Sequence, residues 1–202
     1  MEKGILKFIG REAGFGFHNN AAYYTNEKRL ILFDCGMTVF NDLRELVDLK
    51  EFETIDIIIT HLHPDHAGSV GQLIMYLWYK LNKKANIYCK CENIIKYLDI
   101  IGVDRKIYSL KSEDNINFIK TTHVPELDSY GIVANLETKK IIYTGDTSTL
   151  EPFIGEMKSA DELYIDVSKN GGVHIKIDEV LNELIEFKNS GRKCLSNAYR
   201  RF

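Results

Sequence analysis

Three of the six histidines in the 202-residue sequence stand almost together, at His61, His63 and His66, with Asp65 among them. Imidazole nitrogen and carboxylate oxygen are ligands that zinc, iron and manganese all accept. The spacing adds geometry. In an extended segment, residues two apart point the same way, so His61 and His63 can reach one ion together. Asp65 and His66 follow where the chain turns into a helix, which re-aims them at a point close by and serves a second ion. Gly68, just after the cluster, allows a close backbone approach. The alternative is a polar loop that merely holds three histidines, and the mixture of ligand types at this spacing weighs against it.

Such a cluster needs a rigid support. Residues 55–60, Ile-Asp-Ile-Ile-Ile-Thr, form a short β-branched run that predicts a buried strand leading straight into it. Strands are also predicted over 5–9, 86–89, 106–110, 116–122, 131–136, 140–144, 162–166 and 193–199. Residues 21–25 and 29–33 flank the polar Asn26-Glu27-Lys28 and predict a hairpin, ended by Asp34-Cys35-Gly36. Helical spacing of Val39, Leu43, Leu46 and Val47 predicts a helix over 39–49. Further helices are predicted over 69–81, 93–100 and 176–187, and a turn at Glu137-Thr138-Lys139. Strands in runs, with helices between some of them, fit an α+β arrangement: two sheets face to face with helices outside.

Composition bounds the rest. A chain with 45% apolar residues is long enough for one large domain spanning 1–202. A net charge of −3 predicts no broad nucleic-acid-binding surface, although it leaves a local basic groove open. The four cysteines, Cys35, Cys89, Cys91 and Cys194, do not read as a disulfide framework. Cys89 and Cys91 could bind a metal, but no second pair completes a zinc knot, and structural thiols are the expectation. The start lacks a charged-then-apolar signal pattern, and no apolar run approaches the ~20 residues of a membrane span. A cytoplasmic protein without a membrane partner is the expectation.

The segment Thr60-His61-Leu62-His63-Pro64-Asp65-His66-Ala67-Gly68 resembles the THxHxDHxG signature of the metallo-β-lactamase superfamily. Phe33-Asp34-Cys35-Gly36 resembles the family's upstream strand-ending Asp-x-Gly. His123, in Thr122-His123-Val124-Pro125, falls where the family places its next histidine, and Asp146, in Tyr143-Thr144-Gly145-Asp146-Thr147, where it places a metal-bridging aspartate. A lone histidine or a lone Gly-Asp-Thr would signal little; their order after the first motif gives them weight. The resemblance implies an αββα sandwich and two divalent ions, zinc first, with manganese or iron as alternatives. His61, His63 and His123 would hold one ion and Asp65 and His66 the other, with Asp146 bridging. It also implies hydrolysis by a metal-activated hydroxide that Asp65 helps orient. Members that reduce oxygen or nitric oxide at two irons carry a glutamate where this chain has His63.

His174 lies in Gly171-Gly172-Val173-His174-Ile175-Lys176, just ahead of a predicted helix. This resembles the His-Leu-Thr element of ribonuclease Z-like and phosphodiesterase-like branches, which implies help in protonating the leaving oxygen. Ile175 and Lys176 depart from Leu-Thr, so a helix-entry histidine without a role is an equal reading. His18, in the loop after the first predicted strand, reads as a surface-loop histidine first and as a residue lining the mouth of the site second. The family's last metal histidine has no counterpart: Asn197 or Ala198 stands in its place, in a tail that is polar where an apolar strand is expected. A frameshift near Cys194 is one explanation. A true variant that uses one strong metal site or a partner chain is the other. The expected function is hydrolysis of phosphodiesters or another small molecule. The alternatives are carbon-ester, thioester or lactam hydrolysis, or a non-catalytic member that binds a ligand through one metal. No RNA-clamping arm is visible, and a homodimer through the last strand stays open.

Overall fold

The computed structural model describes residues 4–12, 14–112 and 115–200, with side chains up to 196. Their contacts divide them into two units, one formed by Ile5–Ser112 and one by the rest.

The first unit is built on a six-stranded sheet in which sequence order is spatial order, β1 to β6. Its strands are β1 (Lys7–Gly10), β2 (Ala21–Thr25), β3 (Arg29–Phe33), β4 (Thr54–Ile59), β5 (Ala85–Cys89) and β6 (Tyr108–Leu110). The predicted hairpin is β2–β3, in antiparallel register with Ala22 opposite Phe33. Asn26 closes its turn, its side-chain oxygen accepting from the amides of Lys28 and Arg29. From β3 onward the pairs are parallel. Parallel neighbours need crossovers, and these carry the helices α1 (Val39–Leu46), α2 (Pro64–Ala67), α3 (Val70–Leu81) and α4 (Ile94–Ile100).

α1 stops three residues short of its predicted end. Val47 takes an extended conformation at φ −142°, and Leu46 is 52% exposed while Val39, Phe40 and Leu43 are buried. The predicted sixth strand starts late because Arg105–Ile107 forms a 3-10 turn capped by the Asp104 carboxylate, which accepts from the Lys106 amide. β4 is buried at five of its six positions, as its β-branched run requires. Its one acid, Asp56, is fully buried and is satisfied by the Arg29 guanidinium and by Asn86 Nδ2 at 2.7 Å.

The second unit holds β7 (Ile116–Lys120), β8 (Tyr130–Leu136), β9 (Lys139–Tyr143), β10 (Glu162–Ser168), β11 (Ile175–Lys176) and β12 (Lys193–Arg200). β7, β8 and β9 form an antiparallel meander whose predicted turn has Glu137 in the left-handed region at φ 53°. β9, β11 and β12 all pair parallel to β10. Helices α5 (Ile154–Met157) and α6 (Ile177–Asn189) complete the unit. Val180, Leu184 and Phe187 of α6 pack with Phe153, Leu163 and Ile165 in its core. The predicted last strand forms: Cys194 lies opposite Leu163, and after a register slip Ala198 lies opposite Asp166. No helix among the described residues is long and apolar enough to cross a membrane.

The loop after β3 is laced to α2 through Cys35 N–H to His66 O at 2.7 Å and Met37 N–H to Pro64 O at 3.1 Å. Gly36, between them, comes so close that an added Cβ would sit 1.9 Å from the Asp65 carbonyl oxygen. Gly36→Ala is therefore expected to lower stability by about 1–3 kcal/mol, the range for inserting a methyl into packed structure. Urea denaturation measures it, and an unchanged midpoint would contradict this packing.

Candidate metal centre

In the first unit β4 ends at Ile59, and Thr60 leads into His61. Pro64 opens α2 and holds the residue before it extended, so His63 has φ −62° and ψ 149° and continues the strand-like path from His61. Nε2 of His61 and Nδ1 of His63 face each other at 3.0 Å. The helical turn then brings His66 back, its ring centroid 4.1 Å from that of His61. Asp65 Oδ2 lies 3.6 Å from His66 Nε2. The predicted cluster of His61, His63, Asp65 and His66 is thus gathered at one place.

A fifth residue organises it. Asp34, at the end of β3, is wholly buried and sits in the left-handed region at φ 64°, where aspartate is better tolerated than most residues. Its carboxylate accepts from the Thr60 amide at 2.9 Å and from Thr60 Oγ1 at 2.9 and 3.0 Å, and it meets His66 Nδ1 at 2.8 Å. Thr60 Oγ1 in turn lies 3.1 Å from His61 Nδ1. Nδ1 of both His61 and His66 is therefore engaged, which leaves Nε2 of each facing the cluster.

In the second unit, Gly145 at φ 58° turns the chain after β9 and presents Asp146. The Asp146 carbonyl accepts from Thr121 Oγ1 and Ser129 Oγ at 3.3 and 3.2 Å, which fixes it against the loop bearing His123. His123 Nδ1 meets the Val173 carbonyl at 3.0 Å, which turns its Nε2 toward Asp146 Oδ2 at 3.7 Å. His174 Nδ1 is 2.5 Å from Asp166 Oδ2 and 3.7 Å from Asp146 Oδ2. His123, Asp146 and His174 each offer a ligand atom, all within 4.8 Å of one another.

Donor chemistry decides whether these residues suit a metal. A metal-binding imidazole characteristically ties its other ring nitrogen to a carboxylate, a hydroxyl or a carbonyl. His61, His66 and His123 each do so through Nδ1, and Asp65 and Asp146 add carboxylates close by. The set fits divalent cations of the zinc, manganese and iron kind.

Two residues of consequence were not singled out in sequence: Thr60 as a bridge between Asp34 and His61, and Asp166 as the partner of His174. The signal for Asp166 was a lone acid in the apolar run Leu163 to Val167. Asp56 gives the same signal in β4 yet only closes a structural ion pair, so the pattern alone does not discriminate. His18 lies on an exposed loop with its Nδ1 3.0 Å from Asp42, whose carboxylate raises its pKa. Among the described residues, no cysteine joins a group able to hold a metal. Burial pushes the Cys35 thiol up to about 12 and that of Cys194 to about 11, while the neighbouring Cys91 thiol raises Cys89. The side chains of Asn197 and Ala198 lie outside the described residues.

Comparison with known proteins agrees with this geometry. The sequence model of the metallo-beta-lactamase superfamily matches residues 14–159. The anti-Pycsar protein Apyc1 of Paenibacillus sp. (strain J14) is 26% identical over 210 residues, covering 88% of this chain and 82% of that protein. Among solved structures, the metallo-beta-lactamase fold protein YhfI of Bacillus subtilis aligns with a TM-score of 0.78 at 20% identity, over 98% of this chain and 87% of its own. The short form of human tRNase Z aligns at 0.68 and 17% identity, over 96% and 92%. At these identities the likeness shows the fold, which is the metallo-beta-lactamase fold that the motifs imply.

Asp34→Ala removes the carboxylate that positions His66 and, through Thr60, His61. Metal affinity is expected to fall about 10–100-fold. Competition with a chromophoric chelator reads it directly, and affinity equal to that of the wild type would remove Asp34 from the metal centre.

Proposed function

The chain belongs to the metallo-beta-lactamase superfamily, and from that premise we propose that it is a metal-dependent hydrolase of phosphodiesters. Its ions would be held by His61, His63, Asp65 and His66 and by His123 and Asp146. Divalent cations in such a set supply Lewis acidity, lowering the pKa of water toward neutrality and offsetting charge on the attacked group.

The observation that carries the phosphodiester reading is the His174–Asp166 pair. Hydrolysis of a phosphodiester breaks a P–O bond and expels an alkoxide that needs a proton, and a positioned imidazole is the usual donor. His174 is buried beside Asp146, and its Nδ1–H is directed at the Asp166 carboxylate. That contact fixes the ring and makes Nε2 the atom placed to hand over a proton. Asp65 has the complementary task. It stands at the start of α2 beside His66, where its carboxylate can bind an ion and orient the attacking water. The solved tRNase Z, similar in fold, is by its name a nuclease for transfer RNA, which is consistent with phosphodiester chemistry on this scaffold.

A second reading has its own observation. β12 supplies no histidine in 193–200, so an ion at Asp65 and His66 lacks one customary ligand. A member holding a single ion and binding a ligand without turning it over would share this sequence. A carbon-ester, thioester or lactam hydrolase would dispense with His174.

Elemental analysis of the purified protein is expected to give about two metals per chain. Hydrolysis of bis-p-nitrophenyl phosphate with added zinc or manganese is expected to vanish in Asp65→Ala. One metal and no turnover would favour the binding protein, and regain of the second ion in Ala198→His would then locate the missing ligand. His174→Ala is expected to slow hydrolysis of a phosphodiester with an alkoxide leaving group, such as a dinucleotide, by about 10²–10⁴-fold. An equal rate in wild type and variant would turn the reading toward esters or lactams.

A further inference from the structure

Two of the four cysteines meet in space, and the metal chemistry above does not use them. Cys89 ends β5, and Cys91 follows after a single residue, Lys90. Side chains two apart in an extended segment share a face. Here the two are in contact: the Cys89 S–H donates to the Cys91 sulfur, and the Cys91 amide N–H donates to the Cys89 sulfur. Ile94 N–H bonds back to the Cys91 carbonyl at 3.2 Å, which closes the turn that follows. Cys91 is buried, and Cys89 is only half-buried. Cys35 is placed differently. It is wholly buried, and its sulfur meets the Ser69 hydroxyl at 3.4 Å.

The pair stands behind the ligand cluster of the same unit. Cys89 lies opposite Ile59, the last residue of β4. The Cys91 S–H donates to the carbonyl of the next residue, Thr60, at 3.6 Å. Thr60 is the residue whose hydroxyl lies between the Asp34 carboxylate and His61 Nδ1. The charge of Asp34 also acts on Cys89. One S–H is therefore a bond away from the support of a candidate ligand. Thiols already in hydrogen-bond contact need little backbone movement to bridge, and a bridged sulfur has no S–H left to donate.

We propose that Cys89 and Cys91 are a reversible oxidation site: a peroxide closes them to a disulfide, which withdraws the Cys91 S–H from Thr60 and weakens the hold of His61 on its ion. The effect on the ion rests on the metal-dependent reading; the disulfide does not. Cys89 keeps its proton, because that proton is shared with Cys91 and the pair is out of water. The Cys91 sulfur is thus the one that attacks. As a thiolate it forms an S–O bond while the O–O bond of the peroxide breaks and hydroxide leaves, to take up the Cys91 proton as water. The Cys89 sulfur then forms the S–S bond, the S–O bond breaks, and the leaving hydroxide takes the Cys89 proton. Two electrons pass from the sulfurs to the peroxide, and a thiol reductant reverses the change by exchange.

Trypsin cuts after Lys90, between the two cysteines, so peptides 85–90 and 91–96 stay joined only through a disulfide. After the full chain is treated with stoichiometric hydrogen peroxide, mass spectrometry is expected to find them joined, and dithiothreitol to release them. Sulfinic or sulfonic acid on either peptide, or a bridge to Cys35, to Cys194 or to a second copy, would overturn the site. Competition with a chromophoric chelator then compares zinc affinities. Oxidised wild type is expected to hold zinc on the order of 10-fold more weakly than reduced wild type. Cys91→Ser keeps a donor for Thr60 and cannot bridge, so it is expected to match reduced wild type before and after peroxide. Equal affinity in the oxidised and reduced wild type would overturn the link to His61. Weaker binding in untreated Cys91→Ser would make the thiols ligands themselves and overturn it as well. A disulfide in a protein that binds no zinc in either state would sink the metal reading and leave the oxidation site standing.

Discussion

One buried carboxylate, that of Asp34, ties the first ligand cluster to the sheet beneath it. A charge with no exposure to water must be paired, or its desolvation costs several kcal/mol. Here the pairing is the means of positioning. The Thr60 amide, the Thr60 hydroxyl and His66 Nδ1 all converge on it. Thr60 follows β4, Asp34 follows β3, and those strands run parallel with Phe33 opposite Ile58. The register of two strands is thereby transmitted to two imidazoles within a few bonds. Moving either strand by one residue would turn the whole set to the other face.

The second unit repeats the device with different parts. Asp166 sits in β10 and fixes His174, while Thr121 and Ser129 fix the backbone of Asp146 after β9. β9 and β10 are parallel, as are β3 and β4. Asp34 and Thr60 in one unit and Asp146 in the other therefore lie just past the carboxyl ends of parallel strands, where open α/β sheets place their ligand sites. There the chain leaves a fixed edge and is free to turn. Non-glycine and glycine residues alike use positive φ to do so, at Asp34 and at Gly145.

How much of this was legible in sequence follows from the range of each interaction. The hairpin 21–33, the buried strand ahead of the histidines and the helix after them rest on local pattern, and they form at nearly the expected bounds. The end of α1 was misjudged because Leu46 and Val47 keep a helical spacing while Val47 is drawn into extended backbone. The six candidate ligands could be named because their motifs are contiguous or strand-ending. The partners behind them were not. Asp166 and Asp56 look alike in sequence, each an acid inside an apolar strand, and only the neighbouring strands and loops decide that one meets an arginine and the other a histidine. Nor does the sequence mark which apolar residues are left in water, as Phe15 and Phe17 are.

Cys35 lies between Asp34 and Gly36, its amide bonded to the carbonyl of the candidate ligand His66, and burial pushes its thiol up to about 12. Peroxides attack the thiolate and not the thiol. The buried Cys35 sulfur is therefore a poor target for peroxide, and the loop beside His66 carries a thiol without carrying a redox switch.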